Sequence, residues 1–415
     1  MISSLKSFIR SLTPTWVLSL YHYSLSYISA LLTGFPAKNL TVILVTGTKG
    51  KSTVSELIYT ILKETGHKAA LISTIKFALP EETIQNKLKM TMPGRGQIHR
   101  LLAKAKKQGA THAVIEATSE GTRLFRHTFL FPSVLVFTNL QKEHIESHGS
   151  FENYKNAKLI YAKEIAKHGG AVVANVDDEH AEDFLSYAKV RIPYAKKELL
   201  NLETTSKGVS FEYGGASISL PLPGVFNAQN ALAALKVAEF LQIKIGDAAE
   251  AIQKIEKVRG RVEFIDAGQS FAAVVDYAHT PDSLEALYGA FEGKRKICVL
   301  GNTGGGRDTW KRPLMGSIAA KHCDHVILTN EDPYDESPEK IIAEMAQDMD
   351  PKPTVVMDRR EAIHTALEDA GDGDVVLISG KGTDPYIMEA HGKRTPWDDA
   401  TVVREELAKM GHTNL

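Results

Sequence analysis

The chain has 415 residues, long enough for roughly two to three domains with sizeable cores. Hydrophobic residues make up 43% and charged residues 24%, a globular balance that excludes disordered, collagen-like and low-complexity classes. Lys and Arg total 49 against 50 Asp and Glu, so no global basic field points to nucleic acid.

The chain opens on an unusual stretch: between Arg10 and Lys38 it carries no Lys, Arg, Asp or Glu. That length is about enough to span a bilayer, yet Pro14, His22 and many hydroxyl side chains make its hydropathy poor for a span. No small-residue cleavage site follows it, which argues against a signal peptide. Trp16, Leu20, Tyr23 and Tyr27 recur at helical spacing. The spacing predicts an amphipathic helix docked on the next domain; peripheral membrane contact and a true span are the alternatives.

From Leu40 the pattern changes. LTVILVTG reads as a buried strand ending in glycine, followed by the helix TVSELIYTILKETG and the strand HKAALIS. The helix GQIHRLLAKAKKQG and the strands THAVIEAT, SVLVFTN and AVVANVD continue the alternation. Strands alternating with helices predict βαβ units and a mainly parallel sheet. SKGVSFEYGGASISLPLPG reads as a hairpin, and FNAQNALAALKVAEFLQ as a helix. A second α/β alternation starts after GRVEF and runs through FAAVV, KRKICVLG, DHVILTNEDP and DVVLISG. The boundary is expected near Val258–Arg261, with no flexible Gly/Ser linker. The two cysteines, Cys298 and Cys323, are too few for a disulfide framework or a Cys-rich metal site. Both fall in core-like segments and read as small buried hydrophobes of a protein kept in a reducing cytosol.

The strongest local chemistry lies in Thr46-Gly47-Thr48-Lys49-Gly50-Lys51-Ser52-Thr53, between an apolar strand and a helix. There, backbone N–H groups and the helix N-terminus can hold phosphates. Lys51 would reach the outer phosphates, and Ser52 or Thr53 would bind Mg²⁺. Val45 stands where the general pattern has its first glycine, so the loop is a shorter variant. Glu116, at the end of a strand, is suited to a second Mg²⁺ ligand, although a solvated strand end is the commoner role. His144, His148 and Lys158 share the segment TNLQKEHIESHGSFENYKNAKLIYAKE. An isolated His is more often structural than a ligand, and a helix Lys is normally solvated. Gly304-Gly305-Gly306-Arg307-Asp308, Glu331 to Glu336, and Ser379 to Asp384 fall at strand ends, where open α/β sheets bind ligands.

Taken together, TGTKGKST, FTNLQKEHIESHGSFENYKNAK, FNAQNALAAL, GRVEFI, VVDYAHTPDSLE, GGGRDTWKRPLMG and GKGTDPY resemble the Mur ligase family from about Leu40 to Leu407. The likeness is to the type that adds the third residue to UDP-N-acetylmuramoyl-dipeptide. It implies a central ATP-binding domain over 40–258 and a Rossmann-like domain over 259–415. Residues 1–39 would replace the family's UDP-binding domain, which at roughly 100 residues could not be built from that length. The implied reaction activates a carboxylate as an acyl phosphate with ATP, and an amine then attacks. The implied partners are a muramoyl-peptide-like acceptor and a free amino acid in the cytoplasm, with membrane or protein contact through residues 11–37 as an added expectation.

The resemblance makes Lys51, Lys158 and His144 catalytic. It gives Ser52, Glu116, His144 and Lys158 to two Mg²⁺ sites, with Lys158 as an N-carboxylated lysine. An unmodified ammonium only donates hydrogen bonds and cannot ligate Mg²⁺. ATP would meet Gly47 to Thr53, Asn227, Asn230, Arg261, Asp276 and His279. Thr91, Thr118 and Arg126 would meet the acceptor, while Leu124 replaces a family Gln. Arg307 would hold the incoming amino acid's carboxylate as a bidentate pair. Glu331, Asp332 and Tyr334, with Gly380 and Asp384, would set selectivity. Tyr334 stands where diaminopimelate enzymes carry an arginine, and Asp384 where the family has Glu. A ligase for another polymer, such as a folate polyglutamate or a cyanophycin-like chain, and a nucleotide-binding subunit without ligase activity are the competing readings.

Overall fold

The computed structural model describes residues 13–94 and 96–412. Residues 1–12, which begin the expected N-terminal segment, lie outside the described residues. The chain folds into two compact units. The first comprises residues up to Gln141, Glu152–Lys196 and Ala233–Ala248; the second comprises Lys142–Phe151, Lys197–Leu232 and Ala249–Leu415.

The first unit is built on an eight-stranded sheet. Its strands are β1 (Thr41–Thr46), β2 (Ala69–Ile72), β3 (Lys76–Leu79), β4 (Glu82–Gln85), β5 (His112–Ala117), β6 (Val134–Phe137), β7 (Ala171–Asn175) and β8 (Val190–Tyr194). Their order is β4-β3-β2-β5-β1-β6-β7-β8, with β2, β5, β1, β6, β7 and β8 parallel and β3 and β4 added as antiparallel edge strands. The central strands are continuous apolar runs because helices cover both faces of a parallel sheet. Val42 to Val45, Ala113 to Ile115 and Val134 to Phe137 are all buried. The helices used below are α1 (Thr15–Leu32), α2 (Lys51–Glu64), α3 (Gln97–Lys107), α4 (Ser119–Arg123) and α5 (Phe151–His168).

The predicted N-terminal helix is present as α1, which begins after Pro14 and packs on α3. Among the described residues no helix is long and apolar enough to cross a membrane. The side that docks is not the expected stripe. Ser26 and Ala30 are buried, whereas Trp16, Leu20, Tyr23 and Tyr27 are exposed.

The second unit holds a three-stranded antiparallel sheet, β9 (Leu200–Thr205), β10 (Gly208–Tyr213) and β11 (Ala216–Leu220). The β10–β11 hairpin turns at Gly214-Gly215, both in the left-handed region, where a side chain would be strained. Helix α6 (Val225–Phe240) follows. A six-stranded sheet then forms from β12 (Glu263–Ile265), β13 (Ala272–Val275), β14 (Lys296–Leu300), β15 (His325–Leu328), β16 (Thr354–Val355) and β17 (Val375–Ile378). Its order is β12-β13-β17-β14-β15-β16, parallel except for β12. Apolar clusters lie on its two faces, one around Leu284, Tyr288 and Met315 and one around Ile363, Ala366 and Val403. Strands β18 (Tyr386–Met388) and β19 (Arg394–Pro396) form a final hairpin.

One expectation is corrected here. Cys298 and Cys323 are not separate thiols but a disulfide, with Cα atoms 6.1 Å apart. Cys298 lies in β14, and Cys323 caps the C-terminus of α7 (Lys311–His322), the helix that follows it. A strand–loop–helix unit brings the helix end back beside its own strand. The bridge therefore joins the two ends of the segment that carries the Gly304–Asp308 loop.

Candidate active site

In the first unit, β1 delivers the chain into the Gly47–Gly50 turn and α2 begins at Lys51. Gly47 and Gly50 both have positive φ, at 152° and 82°. A Cβ on Gly47 would lie 1.9 Å from Thr138 Oγ1, so this position admits no side chain. The turn is held from outside. Thr48 N donates to Asn139 O at 2.9 Å, Lys49 N to Asn139 Oδ1 at 2.8 Å, and Thr138 Oγ1 to Lys49 O at 2.6 Å. Thr48 Oγ1 meets Tyr154 Oη at 3.1 Å and accepts from Gln141 N at 2.9 Å.

Two lysines converge on this turn. Lys51 Nζ donates to Gly47 O at 2.9 Å and to Thr48 O at 2.8 Å. Lys158 Nζ, from α5, donates to the same Gly47 oxygen at 2.8 Å and lies 4.8 Å from the centre of the Tyr154 ring. Lys158 is 2% exposed, so the bland reading of a solvated helix lysine does not hold.

Glu116 ends β5 opposite Val45 of β1, which places a fully buried carboxylate beside the glycine turn. Its Oε1 accepts from Thr74 N at 3.0 Å and its Oε2 from Thr74 Oγ1 at 2.8 Å. Thr74 Oγ1 also meets Thr91 Oγ1 at 2.9 Å, so Thr91 and Glu116 share one network. Thr118 caps α4, and its carbonyl accepts from Tyr161 Oη at 2.7 Å. Arg126 donates to Met92 O, and burial pulls its guanidinium below the ordinary value. Thr138, Asn139 and Tyr154 lie within a quoted motif but were not singled out there, and Thr74 and Tyr161 lie outside the motifs; tertiary contact sets the place of each.

These residues fit a nucleotide with Mg²⁺. The glycine turn and the first turn of α2 present N–H groups without a side-chain cap. Ser52 and Glu116 supply a hydroxyl and a carboxylate, the hard oxygen donors that Mg²⁺ takes. No group of three or more His, Cys, Asp or Glu side chains suited to a metal occurs among the described residues. The metal reading therefore rests on mixed donors.

His144 belongs to the second unit, whereas Ser52, Glu116 and Lys158 belong to the first. His144 has φ of 58°, and Asp308 fixes it by accepting from His144 N at 3.1 Å and Ile145 N at 3.4 Å. Its neighbour Glu143 is buried and meets His279 Nε2 at 2.9 Å, while His279 Nδ1 meets Tyr277 O at 2.7 Å. Glu143 and Asp308 fall within the quoted motifs, but their anchoring roles show only in the fold. Asp276 accepts from Val262 N at 2.7 Å and Ala278 N at 2.6 Å, and the Arg261 guanidinium covers the Tyr277 ring at 4.4 Å. Asn227 and Asn230 are buried, linked to one another at 3.3 Å, and Asn227 Nδ2 also donates to Pro223 O at 2.8 Å.

The selectivity residues of the second unit do come together. The Arg307 guanidinium lies 4.9 Å from the centre of the Tyr334 ring. Glu331 Oε1 accepts from Thr303 Oγ1 at 2.8 Å, while its buried Oε2 makes no hydrogen bond. Burial and then the neighbouring Asp332 push the Glu331 carboxyl up. A Cβ on Gly380 would sit 2.4 Å from that Oε2, and Gly380 has φ of 106°, so glycine is required. Fully buried Lys381, also missed from sequence, donates to Asp332 Oδ1 at 2.8 Å and lies 3.5 Å from Asp384 Oδ2.

A glycine-bounded phosphate turn with two lysines, on a mainly parallel sheet, defines a P-loop nucleotide-using enzyme. The comparisons identify which kind. Residues 45–238 match the model of the Mur ligase middle domain, and residues 260–382 that of the Mur ligase, glutamate ligase domain. A UDP-N-acetylmuramoyl-L-alanyl-D-glutamate--2,6-diaminopimelate ligase of Syntrophomonas wolfei is 37% identical over 403 residues, covering 92% of this chain and 81% of its own. A solved structure of an enzyme with that name is 31% identical with a TM-score of 0.61, covering 90% of this chain and 79% of its own. The Mycobacterium tuberculosis folylpolyglutamate synthase shares the fold at a TM-score of 0.68 and 18% identity, with 96% of both chains covered. The chain belongs to the Mur ligase family. It is an ATP-dependent amino-acid ligase, of the kind that builds peptidoglycan precursors.

Proposed function

We propose that this chain joins a free amino acid to a muramoyl-peptide-like acceptor in the cytoplasm. In this reading an acceptor carboxylate oxygen attacks the γ-phosphorus of ATP and ADP leaves. The amino acid's amine then attacks the acyl carbon and phosphate leaves. The observation that carries the proposal is the convergence of the Lys51 ammonium and the N-terminus of α2, which has no side-chain cap, on the glycine turn. Such converging charge is what a phosphoryl group needs as negative charge spreads over its oxygens.

Ser52 and Glu116 would hold Mg²⁺, and the resemblance's assignment of His144 and a second Mg²⁺ stands as part of this proposal. When bound, the metal supplies positive charge beside the phosphate oxygens. Lys158 is proposed to be N-carboxylated: carbon dioxide adds to its amine with loss of a proton, turning a donor-only cation into an oxygen ligand. Thr91, Thr118 and Arg126 would face the acceptor. The proposed domains are 40–258 and 259–415; the spans of the two family models support that division.

For the amino acid, Arg307 would hold the α-carboxylate. Tyr334 cannot pair ionically with a second carboxylate, and leaving such a charge unpaired costs a few kcal/mol. Glu331, Asp332 and Asp384 favour a side-chain ammonium. The reading is therefore a modest preference for L-lysine or a similar basic amino acid over meso-diaminopimelate. Phosphate release with UDP-linked and lipid-linked acceptors and an amino-acid panel tests the function. Competition kinetics test the selectivity. Tyr334→Arg should raise kcat/KM for diaminopimelate relative to lysine tenfold or more, about 1.4 kcal/mol. A wild-type preference of that size for diaminopimelate would reverse the assignment.

A further inference from the structure

Helix α1 turns most of its apolar side chains outward. The residues facing the rest of its unit mix polar and apolar: Ala30 is buried, and so is Ser26, whose Oγ lies 3.3 Å from His99 Nε2 of α3 and accepts from Thr128 Oγ1 at 2.7 Å. Ser29 Oγ donates to Gly96 O at 2.9 Å, an approach so close that a Cβ on Gly96 would lie 2.1 Å from Ser29 Oγ. The opposite side is apolar and open. Trp16 is 68% exposed and Leu32 81%, with Leu20, Tyr21, Tyr27, Ile28 and Leu31 exposed between them. These positions recur at three- and four-residue intervals, so they form one continuous face. A helix normally turns such a face inward, and contiguous exposed apolar surface of this kind marks an interaction site.

Two further observations point to the occupant. The first is composition. Trp16, Tyr21, Tyr23 and Tyr27 are the residue types that settle at the level of lipid headgroups, where one end of the ring is wet and the other apolar. Tyr23 and Tyr27 extend this edge by packing on Phe129 at 5.7 and 5.6 Å. Lys38 lies over the adjoining Phe35 and Phe131 rings at 4.9 and 5.5 Å.

The second is charge. Residues 1–140 hold 17 Lys and Arg, 6 Glu and no Asp, whereas the remaining 275 residues hold 32 Lys and Arg against 44 acids. The first acid of the chain is Glu56. Lys6 and Arg10 precede α1 in sequence, and α3, on which it packs, exposes Arg100, Lys104, Lys106 and Lys107. A near-neutral protein has thus gathered its positive charge in the part that carries the apolar face. That pairing fits an anionic bilayer surface, which contributes roughly 1 kcal/mol per basic residue close to it.

We propose that the outward face of α1 seats the protein on an anionic lipid bilayer, with the helix lying in the interface plane. The helix is too polar to span, so the contact is peripheral and reversible. This inference stands apart from the ligase reading, because vesicle binding is measured without substrate.

The test is flotation of the full chain with vesicles of phosphatidylcholine alone and of phosphatidylcholine with 30 mol% phosphatidylglycerol. The expected result is at least tenfold stronger partition onto the anionic vesicles, weakened by 0.5 M NaCl. The quadruple variant Trp16→Ser, Leu20→Ser, Leu31→Ser, Leu32→Ser should lose partition at least tenfold while keeping its turnover on soluble substrates. A second variant, Lys106→Glu with Lys107→Glu, should lose the preference for anionic lipid and keep its circular dichroism. The proposal is overturned if wild type does not partition, or if the quadruple variant partitions as wild type does. It is also overturned if the face instead closes a dimer, seen as a concentration-dependent mass that the quadruple variant abolishes.

Discussion

The glycine turn of the first unit and the loop cluster of the second solve opposite electrostatic problems. Around Gly47, the cations Lys51 and Lys158 rest on carbonyl oxygens, and the turn is fixed by neutral partners such as Thr138, Asn139 and Tyr154. Around Glu331 the loops are fixed by opposite charges: Lys381 with Asp332 and Asp384, and buried Arg312 with Glu336 and Glu344. Arg312 holds the Glu336 carboxyl down to about 2. The first arrangement gathers two lysines on one turn. The second sets charge against charge, and the buried Glu331 Oε2 there makes no hydrogen bond.

Removing a lysine from the glycine turn should have the largest effect. Lys51→Ala is expected to lower kcat by at least a hundredfold with the fold intact, since such contacts contribute several kcal/mol to the transition state. ATP-dependent phosphate release and circular dichroism measure it together. Near wild-type turnover would overturn the assignment of Lys51 to the transferring phosphoryl group. Lys158→Ala should be comparably inactive, and acetate should partly restore it by supplying the missing oxygen ligand. Turnover without added acid would show that Lys158 acts only as a structural donor to Gly47.

The second region also carries a covalent brace, which makes its order testable separately. The Cys298–Cys323 bridge spans 25 residues of sequence around the Gly304–Asp308 loop. Closing a loop of that size removes about 3.5 kcal/mol of freedom from the unfolded chain. Reduction, or Cys298→Ser with Cys323→Ser, should lower unfolding stability by roughly 2–4 kcal/mol in denaturant titrations. The P-loop region should keep its nucleotide affinity. Thiol alkylation of the native protein without reductant would contradict the bridge.

Much of this contrast was readable before the fold. The βαβ alternation, the glycine turn and the clustered strand-end loops are local patterns of periodicity and glycine, and they lie where the sequence places them. Thr74, Asn139, Tyr154, Glu143 and Lys381 were not readable, because their importance comes from what β-sheet register and helix packing set beside them. Lys158 shows the limit from the other side. Its spacing on α5 is that of an ordinary helix lysine, and only burial beneath Gly47 distinguishes it. The disulfide was missed for a similar reason, since two cysteines in apolar runs carry no signal of proximity. The helix α1 misled in orientation: its apolar spacing was legible, but periodicity cannot tell which face a helix turns outward.

The smallest expected effect concerns how α1 is held to the first unit, and it turns on a single proton. His99 is buried in α3, and burial pulls its imidazole down from 6.5 to about 4. Its Nε2 lies 3.3 Å from Ser26 Oγ of α1, so a change in the charge of the ring bears on the seat of that helix. The unfolded chain takes up the proton near pH 6.5 and the folded chain near 4, so the unfolded state binds more protons between those values and stability falls as pH drops. The stabilisation is fully present above pH 6.5 and is lost progressively from there to about pH 4, amounting to about 2 kcal/mol by pH 5. His99→Gln should flatten that part of the pH–stability curve, and Lys51→Ala should leave it unchanged. A wild-type curve that is flat from pH 7 to 5 would mean that the ring is protonated in the fold, and that α1 is held without it.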